Sequence, residues 1–82
     1  MIANKREKTF RTIVSFSTTT DAMAMEDYCT AHDVAGRFIP LPSVVSAGCG
    51  MCWSAPPEAE KAVRAAAAAA GITPEGIYQL LL

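Results

Sequence analysis

Phe10-Arg11-Thr12-Ile13-Val14-Ser15-Phe16-Ser17-Thr18-Thr19-Thr20-Asp21 is the stretch on which the fold turns. Residues 10–16 are rich in β-branched and aromatic side chains and read as a strand. Phe10, Thr12, Val14 and Phe16 share one face of it. Residues 17–21 then supply hydroxyls and a carboxylate, the groups that satisfy the free N–H groups of a helix start. A strand feeding directly into a helix start opens a βα unit.

Downstream, the spacing predicts a helix over 22–32, with Ala22, Met25, Cys29 and His32 on one face. Residues 36–42 read as a short strand whose prolines put it at a sheet edge or end it early. Residues 43–50 form a loop of mostly small side chains, and Met51-Cys52-Trp53-Ser54 a third strand. A second helix opens at Ala55-Pro56-Pro57-Glu58, with proline in its tolerated first turn. It runs to Ala70 through six consecutive alanines, which carry no propensity penalty and leave a thin face that lies close to a sheet. Glu60 and Arg64 are spaced for a surface ion pair, Gly71 is a natural stop, and residues 76–80 form a fourth strand. The order β-α-β-β-α-β predicts an α+β, ferredoxin-like sandwich: an antiparallel sheet with both helices on one face.

At 82 residues the chain has room for one core, assigned to residues 10–82, behind a basic N-terminal tail at 1–9. Residues 1–11 carry Lys5, Arg6, Lys8 and Arg11 against Glu7, and the acids dominate the rest, so the net charge is -1. That balance gives no bulk attraction to nucleic acid, and no nucleic-acid partner is expected. No apolar run reaches the roughly 18 residues of a membrane span, and the N-terminus lacks the apolar core of a leader. A cytoplasmic location without membrane contact is the expectation.

Three cysteines, an odd number, argue against a purely internal disulfide framework. The topology singles out Cys49. Strand two runs parallel to strand one after the crossover, so the loop that follows it lies at the end of the domain where helix one starts. Cys49, near the far end of that loop, is expected beside Thr18, Thr19 and Thr20. The helix start there offers backbone N–H groups, and Gly48 and Gly50 leave the chain free to turn its own toward the sulfur. Both effects favour the thiolate, the nucleophilic form.

Cys49 and Cys52 have redox spacing, yet the pair runs into a strand rather than opening a helix. Cys52 is either a resolving thiol or a packed strand residue. Cys29, His32, Cys49 and Cys52 make a zinc set on paper, but Cys29 lies about two turns from the helix start. No metal or cofactor is expected. Trp53 and Tyr78 read as core or interface aromatics. The sheet face carrying Arg11, Ile13 and Ser15 is a candidate homodimer surface.

The segments Phe16-Ser17-Thr18-Thr19-Thr20-Asp21-Ala22-Met23-Ala24-Met25-Glu26, Ile39-Pro40-Leu41-Pro42, Ser46-Ala47-Gly48-Cys49-Gly50 and Glu75-Gly76-Ile77-Tyr78 occur in that order. Together they resemble the putative Se/S carrier protein-like family of small bacterial domains, over roughly residues 10–81. The resemblance implies that Cys49 holds sulfur or selenium between donor and acceptor proteins, as a carrier rather than a stand-alone enzyme. Two positions depart from the family pattern: Ser43 stands where members often have arginine, and Cys52 where the residue is usually small or aliphatic. The rival expectations are a ferredoxin-like interaction module without chemistry and a thiol-disulfide protein using Cys49 and Cys52.

Overall fold

The structure, a computed structural model, describes residues 9–42, 44, 45, 48 and 50–82. Four strands and two helices follow one another as β1 (Phe10–Ser15), α1 (Thr19–Ala31), β2 (Arg37–Pro40), β3 (Met51–Ala55), α2 (Glu60–Ala69) and β4 (Gly76–Leu81), with a 3-10 turn at Pro57–Ala59 leading into α2. The sheet order is β2-β3-β1-β4, and every pairing is antiparallel. β2 is therefore an edge strand, and Pro40 closes it where the missing N–H costs no central ladder bond.

The register sorts the side chains. Thr12 pairs with Ala55 and Val14 with Trp53, and β4 sets Ile77 against Val14. These residues share a face, and Ala22, Met25 and Cys29 of α1 and Val63, Ala66 and Ala67 of α2 join Val14, Trp53 and Ala55 in one buried cluster. Both helices thus cover the same side of the sheet. Burial of side chains such as Phe16, Met25 and Val63 contributes about 1.5–3 kcal/mol each. The alanines at 66 and 67 provide the thin face that brings α2 down onto the strands. The edge of Phe38 meets the Trp53 ring, with centroids 5.6 Å apart, and the indole N–H donates to the Ala35 carbonyl at 3.2 Å.

Both helices end alike. Asp33 takes a left-handed conformation (φ 57) after α1, and Gly71 does so (φ 75) after α2. The Val34 N–H then donates to the Cys29 carbonyl and the Ile72 N–H to the Ala67 carbonyl, each at 2.9 Å, which satisfies carbonyls the helix leaves open. At the start of α2, Glu60 accepts from Arg64 at 2.8 Å and from Gln79 at 2.8 Å, while Gln79 also donates to Thr12 at 2.6 Å. The Glu60 carboxylate thereby ties α2 to β4, and Gln79 carries the link on to β1.

Several sequence expectations shift. α1 begins at Thr19, three residues before the expected start, because Thr18 rather than a later residue caps it. α2 proper begins at Glu60, after the 3-10 turn. Thr9 and Leu82 exchange backbone hydrogen bonds of 3.0 Å in both directions, so pairing reaches the last residue of the segment read as tail. The rest of that tail lies outside the described residues. Among the described residues no helix is long and apolar enough to cross a membrane.

Candidate functional site

The site expected from the sequence is the sheet edge where β1 passes into α1. Ser17, Thr18, Thr19 and Thr20 are exposed there. Thr18 is extended (φ -137, ψ 156), and its hydroxyl accepts from the Asp21 N–H at 3.1 Å. Its carbonyl accepts from the Ala22 N–H at 3.2 Å. Thr18 is thus occupied in capping the helix. Thr19 and Thr20 sit in the first turn, whose N–H groups lack partners within a helix. Asp21 sets a carboxylate in the same turn. That charge favours the helix start and opposes a second anion nearby, an effect absent from the sequence reading of this edge.

The β2–β3 loop returns to this edge. The Leu41 N–H donates to the Gly50 carbonyl at 3.1 Å, which extends the β2–β3 pairing beyond Pro40 and Met51. The Val45 N–H donates to Pro42 at 2.9 Å, and Val45 is buried. Gly48 lies against the residue before the helix cap: a Cβ added to it would stand 2.6 Å from the Ser17 carbonyl oxygen. Only a residue without a side chain fits so close to that backbone. Gly50 has a φ of 77, a conformation that glycine adopts without strain. Cys49 lies outside the described residues, as do Ser43, Ser46 and Ala47. Its neighbours on either side, Gly48 and Gly50, are thus at the end of β1 and at the entry to β3.

The other two cysteines lie on opposite sides of the sheet. Cys29 is buried in the helix-side cluster, and burial pushes its thiol above the ordinary value. Cys52 is also buried but pairs with Ser15 and Ile39 on the far face. The strands separate the two, so the zinc set weighed from the sequence is not drawn together through them. Among the described residues no group of three or more His, Cys, Asp or Glu side chains could hold a metal ion. His32 leaves the core face: its ring stacks on Tyr28 at 3.9 Å and its Nδ1–H donates to the Tyr28 carbonyl at 3.0 Å. Trp53 is core, as expected. Tyr78 pairs with Ile13 and faces away from the helices.

Fold and edge together define a small α+β domain in which Gly48 of the β2–β3 loop lies against the residue that precedes a helix cap. A family model described as "Putative Se/S carrier protein-like" matches residues 11–79, and the chain belongs to that family. Searches of curated proteins and of solved structures return no match.

Proposed function

We propose that this protein carries sulfur or selenium on the Cys49 thiolate. The observation that supports this most directly is the contact of Gly48 with Ser17, since Gly48 is one peptide bond from Cys49 and Ser17 directly precedes the helix cap. The description of the family as Se/S carrier protein-like supports this choice of cargo. In the transfer, the Cys49 thiolate attacks the terminal sulfur of a donor's persulfide. An S–S bond forms to Cys49 as the donor's S–S bond breaks, and the donor leaves as a thiolate. An acceptor nucleophile then attacks the terminal sulfur, and Cys49 returns to the thiolate. No outside oxidant or reductant is required, and selenium follows the same course as a selenosulfide. Gly48, Gly50 and the N–H groups of Thr19 and Thr20 would stabilise the anion against the opposing charge of Asp21.

The partners in this reading are the donor and acceptor proteins, and the setting is the cytoplasm, where thiols stay reduced. The strand order β2-β3-β1-β4 with both helices on one side supports the ferredoxin-like arrangement as the scaffold. The test is intact mass after incubation with a low-molecular-weight persulfide and with its selenium analogue. One added chalcogen is expected on the wild type and none on Cys49→Ser. No adduct on the wild type, or an equal adduct on the variant, overturns the reading.

A further inference from the structure

β4 leaves one side of its backbone unpaired. It ends the sheet order β2-β3-β1-β4, so among the described residues only β1 pairs with it. Residue pairs in an antiparallel ladder alternate between those that exchange both backbone hydrogen bonds and those that exchange none. Thr9 and Leu82 exchange both. By register, Arg11–Leu80 and Ile13–Tyr78 do the same. The N–H and C=O groups of Ile77, Gln79 and Leu81 therefore point outward, away from β1. The two edges of the sheet differ in protection. β2 is short, with Arg37 at one end and Pro40 at the other, features that blunt an edge against pairing. β4 is longer, Gly76-Ile77-Tyr78-Gln79-Leu80-Leu81, with neither charge nor proline. Tyr78 and Leu81 are exposed, Leu81 by 53%. The sheet face away from the helices is closed by contrast. Ile13, Ser15 and Cys52 are fully buried there and Ser54 nearly so. Ser54 lies between Arg37, its partner in β2, and Arg11, whose Nε donates to its Oγ at 3.0 Å. The homodimer surface expected on that face from the sequence is therefore not open.

We propose that β4 is a dimer contact, pairing edge to edge with β4 of a second copy, antiparallel, about a two-fold axis at Gln79. That register opposes Gln79 to itself and Ile77 to Leu81 of the second copy. Every outward N–H then meets an outward carbonyl, and one sheet continues through both copies. An axis at Tyr78 or at Leu80 leaves one of the outward residues without a partner in the opposing strand. The same register sets Tyr78 against Leu80 of the second copy on one face and Ile77 against Leu81 on the other, which are apolar cross-strand pairs. No like charges meet. A foreign strand could take the backbone bonds alone, whereas a second copy also supplies this side-chain match, the self-complementarity of an isologous contact. The strands run opposite ways, so the two Gly76 ends fall on opposite sides of the axis, roughly 20 Å apart. Gly76 pairs with Ser15, beside the cysteine edge, and the contact therefore covers neither copy's edge. The inference does not depend on chalcogen transfer at Cys49.

The experiment is sedimentation equilibrium of the full chain from micromolar to millimolar concentration, with amide hydrogen exchange followed by NMR at both ends of the range. A monomer–dimer equilibrium is expected. The Ile77, Gln79 and Leu81 amides should gain protection at high concentration, while those of Tyr78 and Leu80, already bonded to β1, change least. Leu81→Lys puts a charge on the exposed edge and is expected to weaken the dimer about ten-fold. Val44→Lys, at an apolar residue 76% exposed in the β2–β3 loop, should leave it unchanged. A chain that stays monomeric throughout overturns the proposal. So does a dimer whose Ile77, Gln79 and Leu81 amides exchange as in the monomer, or one of unaltered strength in a folded Leu81→Lys. If Leu81→Lys does not fold, the wild-type exchange pattern decides alone.

Discussion

Replacing Gly36 with alanine is expected to unfold much of this protein's stability margin. Gly36 has a φ of 129, and an added Cβ would collide with the Trp53 indole, reaching Nε1 and lying 2.7 Å from Cε2, and would come 2.8 Å from the Ser54 carbonyl. Three costs combine. A residue with a side chain in so sparsely populated a region of backbone space loses about 1–3 kcal/mol. Forcing a methyl into a filled site costs about 1–3 kcal/mol. Displacing the indole also removes its bond to Ala35, worth about 1 kcal/mol. The costs overlap, so the net is about 3 kcal/mol. In a domain of this size each kcal/mol lowers Tm by about 4–8 °C, and a fall of roughly 12 °C or more follows. Trp53 is the single tryptophan, so its fluorescence and far-UV circular dichroism report the same melt from two vantage points. Gly71→Ala is the control. Gly71 also has a positive φ, of 75, but an added Cβ there meets nothing within 4 Å, and only the backbone cost of about 1–2 kcal/mol remains. Equal Tm values for the two variants would refute the close approach of Gly36 to Trp53.

Two further outcomes follow from the contacts at α2 and at the cysteine edge. Hydrogen bonds from Arg64 and then Gln79 hold the Glu60 carboxyl below its ordinary value against the opposing effect of desolvation. Its folded pKa is thus depressed, and its contribution is present above the unfolded carboxylate pKa and lost as pH falls through the folded one. Urea midpoints measured from neutral to acidic pH should show a shallower acid decline in Glu60→Gln than in the wild type, and an identical decline would remove Glu60 as its source. Gly48→Ala must push the β2–β3 loop off the Ser17 carbonyl at a cost of about 1–3 kcal/mol. The expected signs are a lower Tm and altered amide shifts at Ser17 and Thr18, and unchanged shifts there would contradict the packing of Gly48.

Much of the architecture is written in local sequence. The alternation in β1, the prolines that hold β2 to an edge, the alanine face of α2 and the stop at Gly71 each act within a few residues, where pattern and propensity decide. The Glu60–Arg64 pair belongs with them, since four-residue spacing brings it together on any helix. The misplaced start of α1 shows the limit: three threonines in a row are all competent caps, and only the chain's exit from β1 selects Thr18. Contacts between distant segments had no local signature. The approach of Gly48 to Ser17, the three-way link of Gln79 with Thr12 and Glu60, and the placing of Arg11 and Arg37 about Ser54 all depend on sheet register. Register also parts Cys29 from Cys52, although as letters they make a plausible ligand set. At the cysteine edge, the glycines about Cys49 were legible as a motif, whereas the charge of Asp21 in the first turn gains its meaning from the observed helix start.

The pairing of Thr9 with Leu82 has a mechanical consequence. β1 and β4 are antiparallel neighbours, so tension applied through residues 9 and 82 pulls both strands from the same end. The load falls on one ladder bond at a time, from Thr9–Leu82 toward Ser15–Gly76, as a zipper opens, rather than on all of them in shear. Under force the two outermost residues part first. The end of the ladder beside Ser17 and Gly48 is the last to open.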